Sequence, residues 1–176
     1  MTAEEFKKHL ERLEKEYTKF FKKYAPTIAG KTAVDLFTKN FDNQGFFDEA
    51  WQEVKRRQWE YSPQNFKTLA RKTKTGGKKG DHVAKRAAGK RGILTGQTGD
   101  LRRSIIHELK GDGTVLIWTN FKSKEPYGRV HNEGLKAGRG KGFTMPKRQF
   151  IGDHPQLREA IIKELERELS EITNKI

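Results

Sequence analysis

Apolar residues recur every three or four positions between residues 3 and 24, and this spacing predicts an amphipathic helix. The apolar stripe of this helix consists of Phe6, Leu10, Leu13, Tyr17, Phe20 and Tyr24. Glu and Lys residues occupy most of the positions between them. Thr2 followed by Glu5 fits a capping box, in which each residue binds the backbone N–H of the other. The helix is therefore predicted to begin directly after Thr2.

Pro26 marks a boundary, because a helix tends to end before proline and to restart with proline in its first turn. A second helix is predicted over residues 27–40, and the composition of residues 40–45 is typical of a turn. Bulky apolar residues return after this turn, namely Phe46, Phe47, Trp51, Val54 and Trp59.

Shorter elements are predicted in the second half of the chain. Residues 98–100 fit the start of a short helix that would carry Leu101, Ile105 and Ile106. The β-prone segments 105–109 and 114–119 flank a Gly-Asp-Gly turn, which indicates a hairpin. Residues 105 and 106 thus fit a helix or a strand.

Four more elements complete the chain. A short helix is predicted over residues 126–133, a second Gly-rich basic loop over 136–142 and a strand over 145–152. A final helix is predicted over residues 154–175, with Asp153 as its cap and a proline in its first turn. Its apolar stripe is Leu157, Ile161, Leu165, Leu169 and Ile172.

These elements predict an α+β fold, with N-terminal helices and a C-terminal helix packed on a small, mostly antiparallel sheet. We expect one domain over residues 1–176, consisting of a helical part (1–60), a flexible basic loop (61–92) and a sheet with the C-terminal helix (93–176). Only 33% of the 176 residues are hydrophobic while 34% are charged, so the core should be modest. No apolar run approaches the roughly 20 residues that cross a bilayer, so no membrane partner is expected.

Positive charge is concentrated in the middle of the chain. Residues 61–92 hold ten basic residues and one acidic residue, a net charge of +9, whereas the whole chain carries +14. Large apolar residues are nearly missing from this segment after Leu69. Because it cannot bury enough surface to offset its ordering entropy, it is predicted to be flexible.

Enzyme chemistry finds little support in the sequence. Cysteine is absent, which excludes thiolate metal sites and Cys nucleophiles. His131 and Glu133 resemble a fragment of a nuclease motif, but a structural histidine on a short helix is the simpler interpretation. The Gly-rich segments 76–80 and 138–142 lack Walker and dinucleotide spacing, and Ser104 lacks a nucleophile-elbow context. We expect no catalytic residue, cofactor or metal.

The basic residues leave two alternatives open. They could follow a phosphate backbone without sequence readout, as in a nucleic-acid-binding module, or they could contact an acidic protein surface or remain solvated. The candidate contacts are Lys67, Arg71, Lys72, Lys74, Lys78, Lys79, Lys85, Arg86, Lys90, Arg91, Arg139 and Lys141.

Three motifs carry a resemblance to a known family. Residues 93–105 contain a Leu, a Thr-Gly pair, Leu-Arg and Ser-Ile in that order. Residues 127–134 place Tyr, His and Gly at fixed offsets, and residues 145–152 contain Pro, Arg, Phe, Ile and Gly just before the last helix. In this order and spacing, they resemble the virion-morphogenesis (tail-completion) family of tailed phages, the Mu-like group.

The resemblance implies a non-enzymatic phage or prophage protein that completes the tail or the head–tail neck. Its implied partners are other neck or tail proteins and further copies in a ring. Its implied location is the virion, and the host cytoplasm during assembly. Non-specific DNA contact remains the alternative.

The side chains of these motifs are interpreted as structural. Gly96 and Gly99 permit left-handed backbone where a helix begins. Tyr127 and His131 should share one helical face, and Arg148 should bind a carboxylate or carbonyl beside the final helix. The motif residues assigned to structure are Gly96, Gly99, Leu101, Ser104, Tyr127, His131, Gly134, Pro146, Arg148 and Phe150, with Ile105 and Val130 as further core anchors.

Overall fold

The computed structural model describes residues 2–53, 92–94, 98–121, 127–138 and 140–174. The predicted flexible loop over residues 61–92 lies outside these residues, apart from Gly92. The division into one domain with three parts stays a prediction.

The described elements alternate between helices and short strands. The helices are α1 (Ala3–Lys19), α2 (Ala25–Asn43), α3 (Asp100–Arg103), α4 (Tyr127–Glu133) and α5 (Pro155–Asn174), with a π-helical turn (Phe20–Tyr24) joining the first two. The strands are β1 (Gly45–Phe46), β2 (Glu49–Ala50), β3 (Ile105–Leu109), β4 (Val115–Thr119), β5 (Lys136–Ala137) and β6 (Phe143–Thr144). The α+β fold class is confirmed.

The capping box at the start of α1 is confirmed. The Thr2 hydroxyl accepts a hydrogen bond from the Glu5 N–H at 3.2 Å, and the Glu5 carboxylate accepts one from the Thr2 N–H at 2.7 Å. The predicted boundary at Pro26 is confirmed, because the π-helical turn ends at Tyr24 and α2 begins at Ala25, although the chain stays helical across this boundary. A π-helical turn changes the hydrogen-bond pattern directly before the proline, which then lies in the first turn of α2, where its missing N–H costs nothing.

Helix α2 is longer than predicted, and the first half of the predicted turn is wrong. Residues 40–43 are helical because Asn40 and Phe41 are buried in the core. The helix ends at Gln44, which has left-handed backbone (φ 54°) and sends its N–H to the Asn40 carbonyl. The chain then reverses through the β1–β2 hairpin.

Three separate antiparallel pairs form the sheet structure of the described residues. The predicted hairpin is confirmed as β3–β4, in which Ile105 lies opposite Thr119 and Leu109 opposite Val115. The helical alternative for Ile105 and Ile106 is thus wrong, because α3 ends at Arg103.

The second basic loop is shorter than predicted, since its first two residues form β5, which pairs with β6. Gly142 lies at the return of this hairpin with a φ of 59°. A side chain there would approach the Ala137 carbonyl oxygen to 2.8 Å, so the tight return requires glycine.

The predicted strand over residues 145–152 is wrong. This segment has no strand partner among the described residues, and side chains of other elements bind its backbone instead. We call it the clamped segment (residues 145–152).

The cap of the last helix also differs from the prediction. Asp153 forms an ion pair with Arg158, whose guanidinium donates hydrogen bonds to the Asp153 carboxylate. These hydrogen bonds hold the pKa of the Asp153 carboxyl below its usual value. His154 occupies the cap position, where its Nδ1 accepts from the Gln156 N–H at 3.3 Å.

Helix α2 lies at the centre of the core and contacts α5, β3 and β4. The predicted core anchors Leu101, Ile105, Val130 and Phe150 are all buried, which confirms that prediction. The main apolar cluster consists of Ala33, Phe37, Phe41, Phe46, Trp51, Ile93, Leu94, Leu101, Ile105, Phe150 and Leu157. None of the helices in the described part of the chain has the length and hydropathy needed to cross a membrane.

Candidate functional site

The three sequence motifs converge at Gly128 on helix α4. A Cβ atom at this position would lie 3.2 Å from Leu101 Cδ1 of the first motif and 3.6 Å from Phe150 Cζ of the third. It would also lie 3.3 Å from the Thr119 hydroxyl oxygen at the end of β4. Glycine therefore allows α4 to approach α3, the hairpin and the clamped segment at once. Motifs that are far apart in the sequence form one junction.

Helix α4 binds the backbone of the clamped segment. The Asn132 Oδ1 accepts hydrogen bonds from the Phe150 N–H at 2.9 Å and the Ile151 N–H at 3.0 Å. The His131 carbonyl accepts from the Arg148 N–H at 2.7 Å. These bonds replace the ladder that a neighbouring strand would have provided.

The N-terminal half of the chain also binds the clamped segment. The Asn40 side-chain amide donates to the Phe150 carbonyl at 3.3 Å, and its oxygen accepts from the Phe47 N–H at 3.1 Å. The Trp51 indole N–H donates to the Gln149 carbonyl at 2.6 Å. Asn40 is 2% exposed, so both of its bonds lie in the core. The clamped segment thus joins the two halves of the chain.

Arg148 is buried and reaches across to the β1–β2 region. Its Nε donates to the Gln52 carbonyl at 3.0 Å. The prediction that Arg148 binds a carboxylate or carbonyl is correct in the type of partner. Gln52 follows β2 in the chain.

His131 and Tyr127 share one face of α4, as predicted, with ring centroids 4.5 Å apart. The His131 side chain is buried, and its Nδ1 has no hydrogen-bond partner in the described structure. Burial and the nearby positive charge of Arg148 lower the pKa of His131 from 6.5 to about 4. The ring is therefore neutral at neutral pH and packs edge-on against the Tyr127 ring.

Ser104 is buried, and its hydroxyl donates to the Leu101 carbonyl at 2.7 Å at the end of α3. It borders a surface depression of about 310 Å³ together with Asp100, Arg103, Asn120 and Phe121. Within the described ranges, no three His, Asp or Glu side chains are grouped so as to hold a metal ion. The role of the Ser104 hydroxyl in this structure is to satisfy the Leu101 carbonyl at the end of α3.

The remaining motif residues have backbone roles. Gly99 precedes α3 with a φ of 70°, which confirms the predicted left-handed backbone. Gly134 follows α4 with a φ of 72° and lies against Lys147. Pro146 is partly buried in the clamped segment, and Gly96 lies outside the described residues.

Of the predicted basic contacts, one lies within the described residues. Lys141 is exposed at the tip of the β5–β6 hairpin. The other candidates, Lys67, Arg71, Lys72, Lys74, Lys78, Lys79, Lys85, Arg86, Lys90, Arg91 and Arg139, lie outside the described residues.

Sequence reasoning missed two asparagines that hold the junction. Asn40 lies on the buried face of α2 with Ala33 and Phe37, at helical spacing. A lone amide on such a face was the available signal, because a buried amide must bind other polar groups. Asn132 offered no comparable signal, since it stands among polar neighbours in its motif.

Comparison with known proteins identifies a family. The sequence profile of the phage virion morphogenesis family matches residues 60–170. No curated protein and no solved structure matches the chain. The matched range contains all three motifs and the whole basic segment over residues 61–92.

Proposed function

We propose that this chain, which belongs to the phage virion morphogenesis family, completes the tail or the head–tail neck of a phage or prophage particle. Family membership makes it a phage structural or assembly protein. The finer role, at the tail or neck, follows from the resemblance of the three motifs to tail-completion proteins.

The observation that best supports a structural role is that the motif residues are buried and hold the fold together. Leu101, Arg148 and Phe150 are buried, and Gly128 lets their elements meet. Their side chains join the two halves of the chain and leave the surface to be formed by other residues. This arrangement suits a component whose task is to present a fixed surface to neighbouring subunits.

An exposed apolar face supports assembly with other subunits. Leu116 and Trp118 alternate with Ile117 along β4 and are 44% and 46% exposed. Two large apolar side chains on one face of a two-stranded hairpin are typical of an interaction surface. We propose that this face contacts other neck or tail proteins, or further copies in a ring, in the virion and in the host cytoplasm during assembly.

The test is particle assembly without the protein. In a phage or prophage that encodes this chain but cannot express it, we expect heads and tails to accumulate separately. Addition of the purified protein should then join them into infectious particles, counted by electron microscopy and plaque assay. Leu116→Ser with Trp118→Ser should abolish joining, while the exposed change Thr114→Ser should not. Normal infectious particles in the absence of the protein would contradict the proposal.

Nucleic-acid binding is the second candidate, and the net charge of +9 in residues 61–92 favours it. Replacement of Lys72, Lys74, Lys78 and Lys79 by Gln should then reduce the slope of log affinity against log salt by up to about 4. Replacement of Lys31, Lys39, Lys110 and Lys163, which are exposed on the folded body, removes the same charge as a control. If the loop binds protein instead, its replacement should impair joining and leave DNA affinity at the control value.

A further inference from the structure

Helix α1 is the amphipathic helix that the body leaves uncovered. It contributes no buried side chain, and Phe6 and Leu10 of its stripe are 49% and 48% exposed. The Tyr17 hydroxyl lies 2.9 Å from the Thr173 hydroxyl, near the last described turn of α5. Between this contact and its first residue, Ala3, α1 is about 20 Å long.

The stripe has the spacing of a coiled coil. Its residues are separated by 4, 3, 4, 3 and 4 positions, which is a heptad repeat over residues 6–24. Such a repeat keeps one narrow seam facing a partner helix along its whole length. Phe20 is covered by the body, whereas the first two stripe residues are exposed. The seam open to a partner therefore runs over residues 6–17, where Phe6 and Leu10 are exposed and Leu13 and Tyr17 are partly exposed.

The charged residues beside the seam favour a second copy of α1 as the partner. When a second copy of α1 lies antiparallel with Leu10 opposite its Leu13, Phe6 lies opposite its Tyr17. Lys7 then lies opposite Glu14 of the second copy, and two-fold symmetry repeats this pair. This register forms four layers of apolar side chains. It places one Lys7–Glu14 pair on each side of the two-fold axis.

Other arrangements are less favourable. A shift by one heptad in one direction places Glu14 opposite Glu14 and Glu16 opposite Glu16. A shift in the other direction places Lys7 opposite Lys7. A parallel pair brings together His9 with Glu14 and Glu16 with Phe21, without any Lys–Glu contact. One antiparallel register alone combines the exposed seam with opposite charges.

We propose that α1 is a self-association element, in which residues 6–17 of two copies form an antiparallel two-helix coiled coil. The interface is isologous, because the same residues of both copies contact each other. It is separate from the hairpin face, so it would link protomers independently of neck or tail partners.

Charge exchange tests this register. Lys7→Glu alone places two glutamates opposite each other, and Glu14→Lys alone does the same with lysines. Each change should weaken self-association roughly tenfold, measured by sedimentation equilibrium. An equimolar mixture restores both attractive pairs, so it should associate at least as tightly as the unaltered chain. A mixture no tighter than the separate variants would overturn the proposal.

Cysteine cross-linking tests the orientation, since the chain contains no cysteine of its own. A tagged Lys7→Cys chain mixed with an untagged Glu14→Cys chain should form mainly the mixed disulfide. The matched pair Lys8→Cys and Lys15→Cys lies on the opposite side of α1 and should form little. Equal amounts of mixed and like-with-like disulfides, or equal cross-linking of the control pair, would contradict the antiparallel register.

A third measurement shows whether a second copy of α1 or another partner covers the seam. Leu10→Ser should prevent association and leave the denaturation midpoint of the dilute monomer unchanged. A lowered midpoint in the monomer would show that residues of the same chain cover the seam. Association only with another phage protein would show a different partner. Either result would overturn the proposal.

Discussion

The clamped segment (residues 145–152) and helix α1 both mix apolar and charged residues, but the rest of the protein encloses only the first. Phe150 is 1% exposed and its backbone binds both halves of the chain, whereas Phe6 on α1 is 49% exposed. The segment has no regular structure of its own, yet it is fixed by its surroundings. The helix has regular structure and a cap, yet none of its side chains is fully buried. Local regularity and tertiary anchoring are therefore separate properties in this protein.

The largest expected effect comes from removing a side chain at the junction. Phe150→Ala should lower the free energy of unfolding by about 3–5 kcal/mol, because it removes a fully buried aromatic ring between elements. Urea unfolding monitored by circular dichroism measures this change. Phe6→Ala on α1 is the matched control and should cost under about 1 kcal/mol in the dilute monomer. Similar losses from both changes would refute the contrast between the two regions.

Removing the clamp itself should have the next largest effect. Asn132→Ala leaves the N–H groups of Phe150 and Ile151 without their acceptor and should cost about 2–3 kcal/mol in the same unfolding assay. Asn132→Asp retains an acceptor oxygen and should recover part of this loss. Asn120→Ala, at an exposed position after β4, is the control and should change stability little. An alanine variant as stable as the control would show that the clamp is dispensable.

Acid should weaken the junction through His131. Its pKa is about 4 in the folded chain, below the usual 6.5, so the unfolded chain takes up a proton first as the pH falls. The contribution of His131 to stability is therefore present above pH 6.5 and should decrease by about 2–3 kcal/mol between pH 6.5 and 4. Guanidinium unfolding at several pH values measures this decrease, and His131→Gln should reduce it. An unchanged pH dependence in the variant would disprove the role of His131.

The smallest expected effect concerns the contact between helix α2 and strand β3 at Gly30. A Cβ atom at Gly30 of α2 would lie 2.5 Å from the His107 ring, so Gly30→Ala must displace β3 or its side chain. We expect a loss of about 1–2 kcal/mol by thermal unfolding, despite the higher helix propensity of alanine. Gly111→Ala, at the open hairpin turn, should be nearly neutral. A stabilising Gly30→Ala would mean that the helix and hairpin can separate without cost.

Much of the local structure was predictable because it depends on neighbouring residues. The capping box at Thr2 and the hairpin around residues 111–113 follow from turn and cap chemistry. The core anchors were also predictable, since Leu101, Val130 and Phe150 are large apolar residues within ordered motifs. Such features need only a few adjacent residues to form.

The link between the two halves of the chain was not predictable, because its bonds join residues about 100 positions apart. Asn40 and Trp51 bind the carbonyls of Phe150 and Gln149, and neither partner is implied by its own surroundings in the sequence. The strand predicted over residues 145–152 failed for the same reason. An extended pattern does not show whether a strand or a set of side chains will satisfy the backbone.

The sequence by itself determined the fold class, the family and the heptad spacing of α1, since these depend on residue types and their order. Only the tertiary structure decided that the motifs meet at Gly128 and that α1 remains uncovered. The physical reason is that burial and hydrogen bonding depend on which distant surface faces a residue. Phe6 and Phe150 are the same residue type, but only Phe150 has a surface of its own chain folded over it.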